Sequence, residues 1–271
     1  HCAVLMPGVP HEMKAMWTES VRPLLMERQN CTLHSVTLRV LGGESDIEYK
    51  VRDLLENPNP TAAIYCKTGE CEIRITARAR SDEDGEKMCR AYARKFYDLL
   101  GDAVYDEDVA GLEETVVRTL KEKGLTVSTA ESCTGGLIAK RLTDIPGASQ
   151  TFLGGVVSYT NAVKQHVLGV PASLLETYGA VSAPVARAMA MGVRVLTGSD
   201  LALSVTGLAG PAGDDHGNPV GTVFTALSTP QGVFVRQLAL GGDRERIRTL
   251  SAHHALDLLR RYLTDQMTGG E

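Results

Sequence analysis

Ser132, Tyr159 and Lys164 share one stretch of this chain, residues 128–164, and carry a hydroxyl, a phenol and an amine. A serine hydroxyl is a poor nucleophile unless a base takes its proton and donors stabilise the oxyanion that attack creates. None of the seven histidines stands in a motif beside Ser132. Lys164 is therefore the more natural base, provided that partial burial lowers its pKa enough to free the amine. Tyr159 is placed to relay a proton or to hydrogen-bond either partner. Such a set does acyl transfer on an amide or ester carbonyl. Cys133 is the rival nucleophile, because a helix N-terminus lowers a thiol pKa. It lacks a histidine partner, and small buried cysteines usually pack. Glu131 either orients Lys164 or pairs with a nearby backbone donor.

The elements that must position these groups follow from local pattern. A β-like run over 125–130 leads into a small-residue elbow, Glu131-Ser132-Cys133-Thr134-Gly135-Gly136, and then an amphipathic helix over about 137–142. A second strand, 152–158, delivers Tyr159 and then Lys164. The reacting groups thus sit at the carboxyl ends of two strands, where open α/β sheets bind ligands. Backbone N–H groups of Cys133, Thr134, Gly135 and Gly136 are expected to be unpaired there and to hold an oxyanion or an anion. Ser149, in the loop before the second strand, is a candidate substrate contact. A second glycine-rich elbow, Thr206-Gly207, is a candidate wall of the same pocket. Asp243 is a suitable N-cap for the last helix. Arg244 and Arg246 follow it as candidate phosphate ligands.

Length and composition set the frame. A chain of 271 residues with 43% hydrophobic and 23% charged residues is a globular protein of about two domains. A net charge of −5 argues against a general nucleic-acid coat. No apolar run is long enough to span a bilayer and no signal-peptide pattern is present, so a cytoplasmic location is expected. The six cysteines read as reduced thiols. Cys66 and Cys71 flank a turn and could face each other across a hairpin; zinc there would need two further ligands that the sequence does not place.

Strands alternating with helices over 109–271 predict a three-layer α/β domain, its sheet mixed because the last two strands read as a hairpin. A β-α-β-β-α pattern over 31–108 predicts a small α+β domain that resembles a KH-type fold. It lacks the GxxG loop that clamps nucleotides. Arg74, Arg78 and Arg80 share parity along one strand, and a solvated outer face is favoured over nucleic-acid binding. Residues 1–30 read as a strand over 2–6, a PGVP turn and a helix over 11–26, the tail of a larger domain.

Six motifs in order carry a resemblance: TAESCTGG at 129–136, YTNAVK at 159–164, GAVS at 179–182, SVTGLAGP at 204–211, PVGTV at 219–223 and GDR at 242–244. They are similar to the C-terminal domain of the CinA (competence/damage-inducible protein) family. Residues 31–108 resemble its KH-type middle domain, and VLMPGVPHEMKAMW the end of its N-terminal molybdopterin-binding-like domain. The resemblance implies an amidohydrolase acting on nicotinamide mononucleotide (NMN), releasing ammonia and nicotinic acid mononucleotide in pyridine-nucleotide recycling, without cofactor or metal. It implies Ser132, Tyr159 and Lys164 as catalytic, and Ser149, Thr206 and Arg246 as substrate contacts. For some full-length members it implies an ADP-ribose pyrophosphatase in the N-terminal domain. Thr160 and Val163 depart from the family pattern without touching this chemistry. The partners expected are NMN and further copies of the chain in a homodimer or higher homo-oligomer. A non-catalytic nucleotide-binding or partner-recruiting module is the alternative function.

Overall fold

A computed structural model describes residues 3–27 and 31–267. The first of these begin with irregular chain, followed by α1 (Pro10–Met16), a π-type turn (Trp17–Val21) and α2 (Arg22–Met26). The helix expected over 11–26 is thus interrupted. Pro23 lacks an N–H, so the ladder cannot run through it, and the Arg22 N–H reaches back five residues to the Trp17 carbonyl. Residues 3–6 of the expected strand form none; Cys2 lies outside the described residues.

Next come β1 (Thr32–Leu41), α3 (Glu44–Leu55), β2 (Thr61–Lys67), β3 (Glu70–Ala79), α4 (Asp82–Leu100) and β4 (Val104–Glu107). The strands form an antiparallel sheet in the order β2-β3-β1-β4. Alternate residues Cys71, Ile73, Ile75 and Ala77 of β3 are fully buried against Ile47 and Val51 of α3 and Cys89, Ala93 and Phe96 of α4. Arg74 and Arg78 take the opposite parity and are exposed. Cys66 stands directly across from Cys71 in the hairpin register and the two form a disulfide, which corrects the expectation that all six thiols are free.

The second sheet is built from β5 (Val127–Glu131), β6 (Phe152–Val157), β7 (Leu201–Gly207), β8 (Thr222–Thr229) and β9 (Gly232–Ala239). Its order is β6-β5-β7-β8-β9; β6, β5 and β7 run parallel, and the last two strands are an antiparallel hairpin. The sheet is mixed and lies in a three-layer α/β unit. Among its helices, α5 (Leu112–Lys123) precedes β5, α6 (Leu137–Thr143) follows it, and α7 (Asn161–His166), α8 (Ala172–Tyr178) and α9 (Ala183–Thr197) lie between β6 and β7. The last helix is α10 (Arg244–Leu263).

Strand parity assigns the layers. Leu201, Leu203 and Val205 of β7 pack with α5, α6 and α10, whereas Ala202 packs with Val185, Met189 and Val193 of α9. Both faces are covered, which is why β7 is buried along almost its whole length. The chain leaves β5 for β6 on one side and returns to β7 on the other. The order therefore switches at β5, and the crevice beyond the carboxyl ends of β5 and β7 is the expected ligand position. Among the described residues no helix is long and apolar enough to cross a membrane.

Candidate active site

Ser132 directly follows β5, and its N–H donates to the Val205 carbonyl of β7 at 2.9 Å. By parity it continues the face of Ser128 and Ala130, the face covered by α7, α8 and α9. Lys164 reaches the same point from α7. Thr160 caps that helix by accepting from the Val163 N–H, which explains the threonine in this motif. The Lys164 side chain is only 2% exposed. Its Nζ donates to the Ser158 carbonyl at 2.7 Å and to Ser132 Oγ at 3.1 Å. Burial pushes its pKa down to about 8. Amine and hydroxyl thus meet in the geometry that a nucleophile and its base require.

Glu131 points the other way, toward α6. Its carboxylate, 1% exposed, accepts from the N–H groups of Gly136, Ile138 and Ala139. It is the N-terminal anchor of α6. It has no contact with Lys164, which lies in the opposite layer. Gly135 and Gly136 turn the chain through left-handed φ values of +60° and +93°, which side chains resist. The Gly135 N–H closes the turn onto the Ser132 carbonyl at 3.1 Å. Of the four elbow donors expected from the sequence, the two glycine N–H groups are committed within the fold, and those of Cys133 and Thr134 neighbour the Cys133 thiol.

Cys133 is buried in the core with Ile138 and Leu142 of α6. Burial pushes its thiol up to about 11, so it is a packing residue and no thiolate nucleophile. The Thr134 hydroxyl is also buried and has no hydrogen-bond partner among the described residues. Tyr159 is largely exposed, and its hydroxyl accepts from Arg244 Nη2 at 2.8 Å instead of meeting Ser132 or Lys164. Arg244 Nη1 also holds the Gly210 carbonyl at 2.6 Å, so this arginine bridges the chain beyond β6 to the loop after β7. Thr206 is fully buried, and its hydroxyl donates to the Ala180 carbonyl at 2.7 Å. At Gly207 a Cβ would approach Val223 to 2.6 Å, so glycine there serves the close packing of β7 on β8.

Two expected contacts stand elsewhere. Ser149 precedes β6 at the amino-terminal end of the sheet, where Phe152 pairs with Val127. Val127 and Ser132 are five positions apart along the strand direction, roughly 17 Å at a strand rise of about 3.3 Å per residue. Arg246 is two positions from Arg244 on α10, about 200° around a helix of 3.6 residues per turn. It lines a groove with Gly43, Glu44, Lys67 and Gly69, at the start of α3 and the β2–β3 turn. The helical phase instead gives the elbow Arg248, which the sequence reading overlooked. Its Nε donates to the Cys133 carbonyl at 3.0 Å and its Nη2 to the Thr134 carbonyl at 2.9 Å. The i, i+4 pairing with Arg244 was the available signal. An apolar groove of about 720 Å³, lined by Leu174, Met191 and Val195, lies on the outer face of α8 and α9 and holds none of these groups. Among the described residues no cluster of His, Cys, Asp and Glu is placed to hold a metal.

A parallel-centred α/β sheet with a serine and a buried lysine in contact at its switch point defines a class of candidate acyl-transfer folds. Comparison with known proteins places it more narrowly. Residues 109–263 match the CinA C-terminal domain, and residues 35–105 match the damage-inducible protein CinA KH domain. A putative competence-damage inducible protein of Caldanaerobacter subterraneus subsp. tengcongensis is 46% identical over 261 residues, 96% of this chain and 63% of that protein. A CinA-like protein of Dictyoglomus turgidum is 46% identical over 262 residues, covering 96% of this chain and 64% of its own length. The chain thus spans under two thirds of the length of these curated relatives. A crystal structure of a CinA superfamily protein from Klebsiella pneumoniae is similar at a TM-score of 0.56 and 32% identity, covering 57% of this chain and 96% of that one. A competence/damage inducible protein from Agrobacterium tumefaciens is similar at 0.54 and 40%, covering 56% and 95%. The chain belongs to the CinA family.

Proposed function

We propose that this chain hydrolyses the carboxamide of NMN to nicotinic acid mononucleotide and ammonia, in the cytoplasm, through an acyl-enzyme on Ser132. The observation that carries the reading is the buried Lys164 amine 3.1 Å from Ser132 Oγ. In its neutral form Lys164 accepts the Ser132 proton while Oγ bonds to the carboxamide carbon. The carbonyl electrons move to oxygen, where the Cys133 and Thr134 N–H groups are the available donors. Collapse breaks the C–N bond, and the Lys164 ammonium returns its proton to the departing nitrogen as ammonia. Water, deprotonated by the same amine, then cleaves the ester and restores Ser132. Arg244, exposed and held beside Tyr159, is the cation for the phosphate end of the substrate.

The test is ammonia release from NMN, compared with nicotinamide and simple amides. Ser132→Ala and Lys164→Ala are each expected to lower kcat by at least about 10³-fold, and the double variant by little more, because the two act as one unit. Near wild-type release by either single variant would overturn the assignment. Stabilisation of the wild type by NMN with no ammonia formed would identify a nucleotide-binding module instead.

A further inference from the structure

Arg248 has no part in the acyl-transfer steps above, yet its side chain hydrogen-bonds the elbow from α10. Its half-buried guanidinium donates from Nε and Nη2, one bond to the Cys133 carbonyl and one to the Thr134 carbonyl, at 3.0 and 2.9 Å. In a planar trans peptide the N–H points opposite to the C=O of the same unit. With both oxygens turned toward α10, the N–H groups of Thr134 and Gly135 point away from it. That is the direction of the layer from which Lys164 meets Ser132. The Gly135 N–H is taken by the Ser132 carbonyl, which leaves the Thr134 N–H, directed away from α10 and neighbouring the Cys133 thiol, as the donor that the fork orients. A Cβ at Gly135 would stand 3.4 Å from Arg248 Nη2, so the fork also packs on the left-handed turn.

We infer that Arg248 is a positioning residue. It holds the Cys133–Thr134 peptide unit with its N–H in the oxyanion-binding orientation and keeps two carbonyl dipoles from turning toward the site where negative charge develops. The inference rests on Ser132 being the nucleophile. The task calls for arginine specifically, since two parallel N–H donors in one rigid plane match two adjacent carbonyls. A lysine offers a single point charge.

The experiment uses the full chain with Arg248→Ala and Arg248→Lys, and two readouts. The first is steady-state ammonia release from NMN. The second is the rate at which a fluorophosphonate probe labels Ser132, followed by intact mass, which needs the same oxyanion donors but no NMN. For Arg248→Ala, kcat and labelling rate should each fall about 100-fold, the size of losing an oxyanion donor. KM should stay within about 3-fold. Added guanidinium ion should restore part of the loss, and Arg248→Lys should fall nearly as far as alanine. Wild-type kcat in either variant, or a change confined to KM, would overturn the inference. Should the alanine variant fail to fold, the lysine variant decides in the same way. If the wild type takes the probe at Ser132 but releases no ammonia from NMN, the substrate reading fails, and a slowed label in the Arg248 variants still upholds the positioning role. A wild type that takes neither overturns both.

Discussion

Lysine is an awkward residue to bury, and among the described residues Lys164 is buried without a carboxylate to pair with. Its ammonium finds the Ser158 carbonyl and the Ser132 hydroxyl, neither of which carries charge. Desolvation therefore acts nearly unopposed, and the amine becomes available near pH 8. The same burial acts on Cys133 with the opposite consequence. A thiol must ionise to react, so desolvation silences it, whereas an amine must lose its charge to act as a base, so desolvation activates it. One environment thus favours a neutral Lys164 amine and disfavours a Cys133 thiolate. In the proposed mechanism the neutral amine is the active form, so kcat/KM for NMN should rise with pH through about 8 and level off above it. A profile flat from pH 6 to 9 would exclude Lys164 as the base.

At the scale of elements, strand parity and helix phase distribute the work. Consecutive residues Glu131 and Ser132 leave β5 toward opposite layers. The glutamate anchors α6 while the serine meets Lys164. Glu131 spends one buried carboxylate on three backbone donors at the start of a seven-residue helix. Glu131→Ala strands those donors and should lower unfolding free energy by about 2–4 kcal/mol. Glu131→Gln, which keeps one acceptor oxygen, should lose less, and denaturant midpoints at constant m would read both. A neutral result for the alanine variant would mean that water replaces the carboxylate and that the cap is dispensable. On α10 the phase separates Arg244 and Arg248, which face the strand ends, from Arg246, which faces the loops of the first sheet.

Across the whole molecule, α10 is the shared wall. Its N-terminal half serves the elbow, and its middle meets the β2–β3 turn, where Leu250 and His253 crowd Gly69. Arg39 ties the halves from the other side, donating to the Val109 and Ala110 carbonyls while paired with Glu70 and Glu72. At this seam burial pushes the His253 ring down to about 3, with Arg141 and His254 adding to the shift. In the unfolded chain the ring titrates near 6.5, so below that pH the unfolded state binds a proton that the folded state refuses. The stability that the neutral ring permits is therefore complete above about pH 6.5 and is lost as pH falls toward 3. The melting temperature should drop between pH 6.5 and 5, before most carboxylates titrate. His253→Leu should remove about one proton from that dependence, with His254, also lowered by burial, supplying the remainder. An unchanged slope in the leucine variant would show that the ring protonates without unfolding the seam.

Most elements were legible because their signals are local. The helix Leu112–Lys123 ends at Gly124 in a left-handed cap, and Asp243 accepts from the Arg246 N–H as an N-cap should. Both sheets followed from periodicity, and the order of motifs indicated the family. The Ser132–Lys164 meeting was inferable because each follows the carboxyl end of a strand, and parallel neighbours bring such ends together. The remaining features depend on which layer a side chain enters, and that is decided when helices pack onto the sheet. Glu131 had two open roles until its layer was known. Ser149 looked close to the site in sequence but stands at the far end of β6. Arg246 and Arg248 are chemically alike and two positions apart, and only the docking of α10 made one of them face the elbow. Residue type and spacing by themselves determined the chemistry available to this protein. The tertiary structure decided which groups meet, because a distance of a few ångströms between layers is set by packing that no local pattern records.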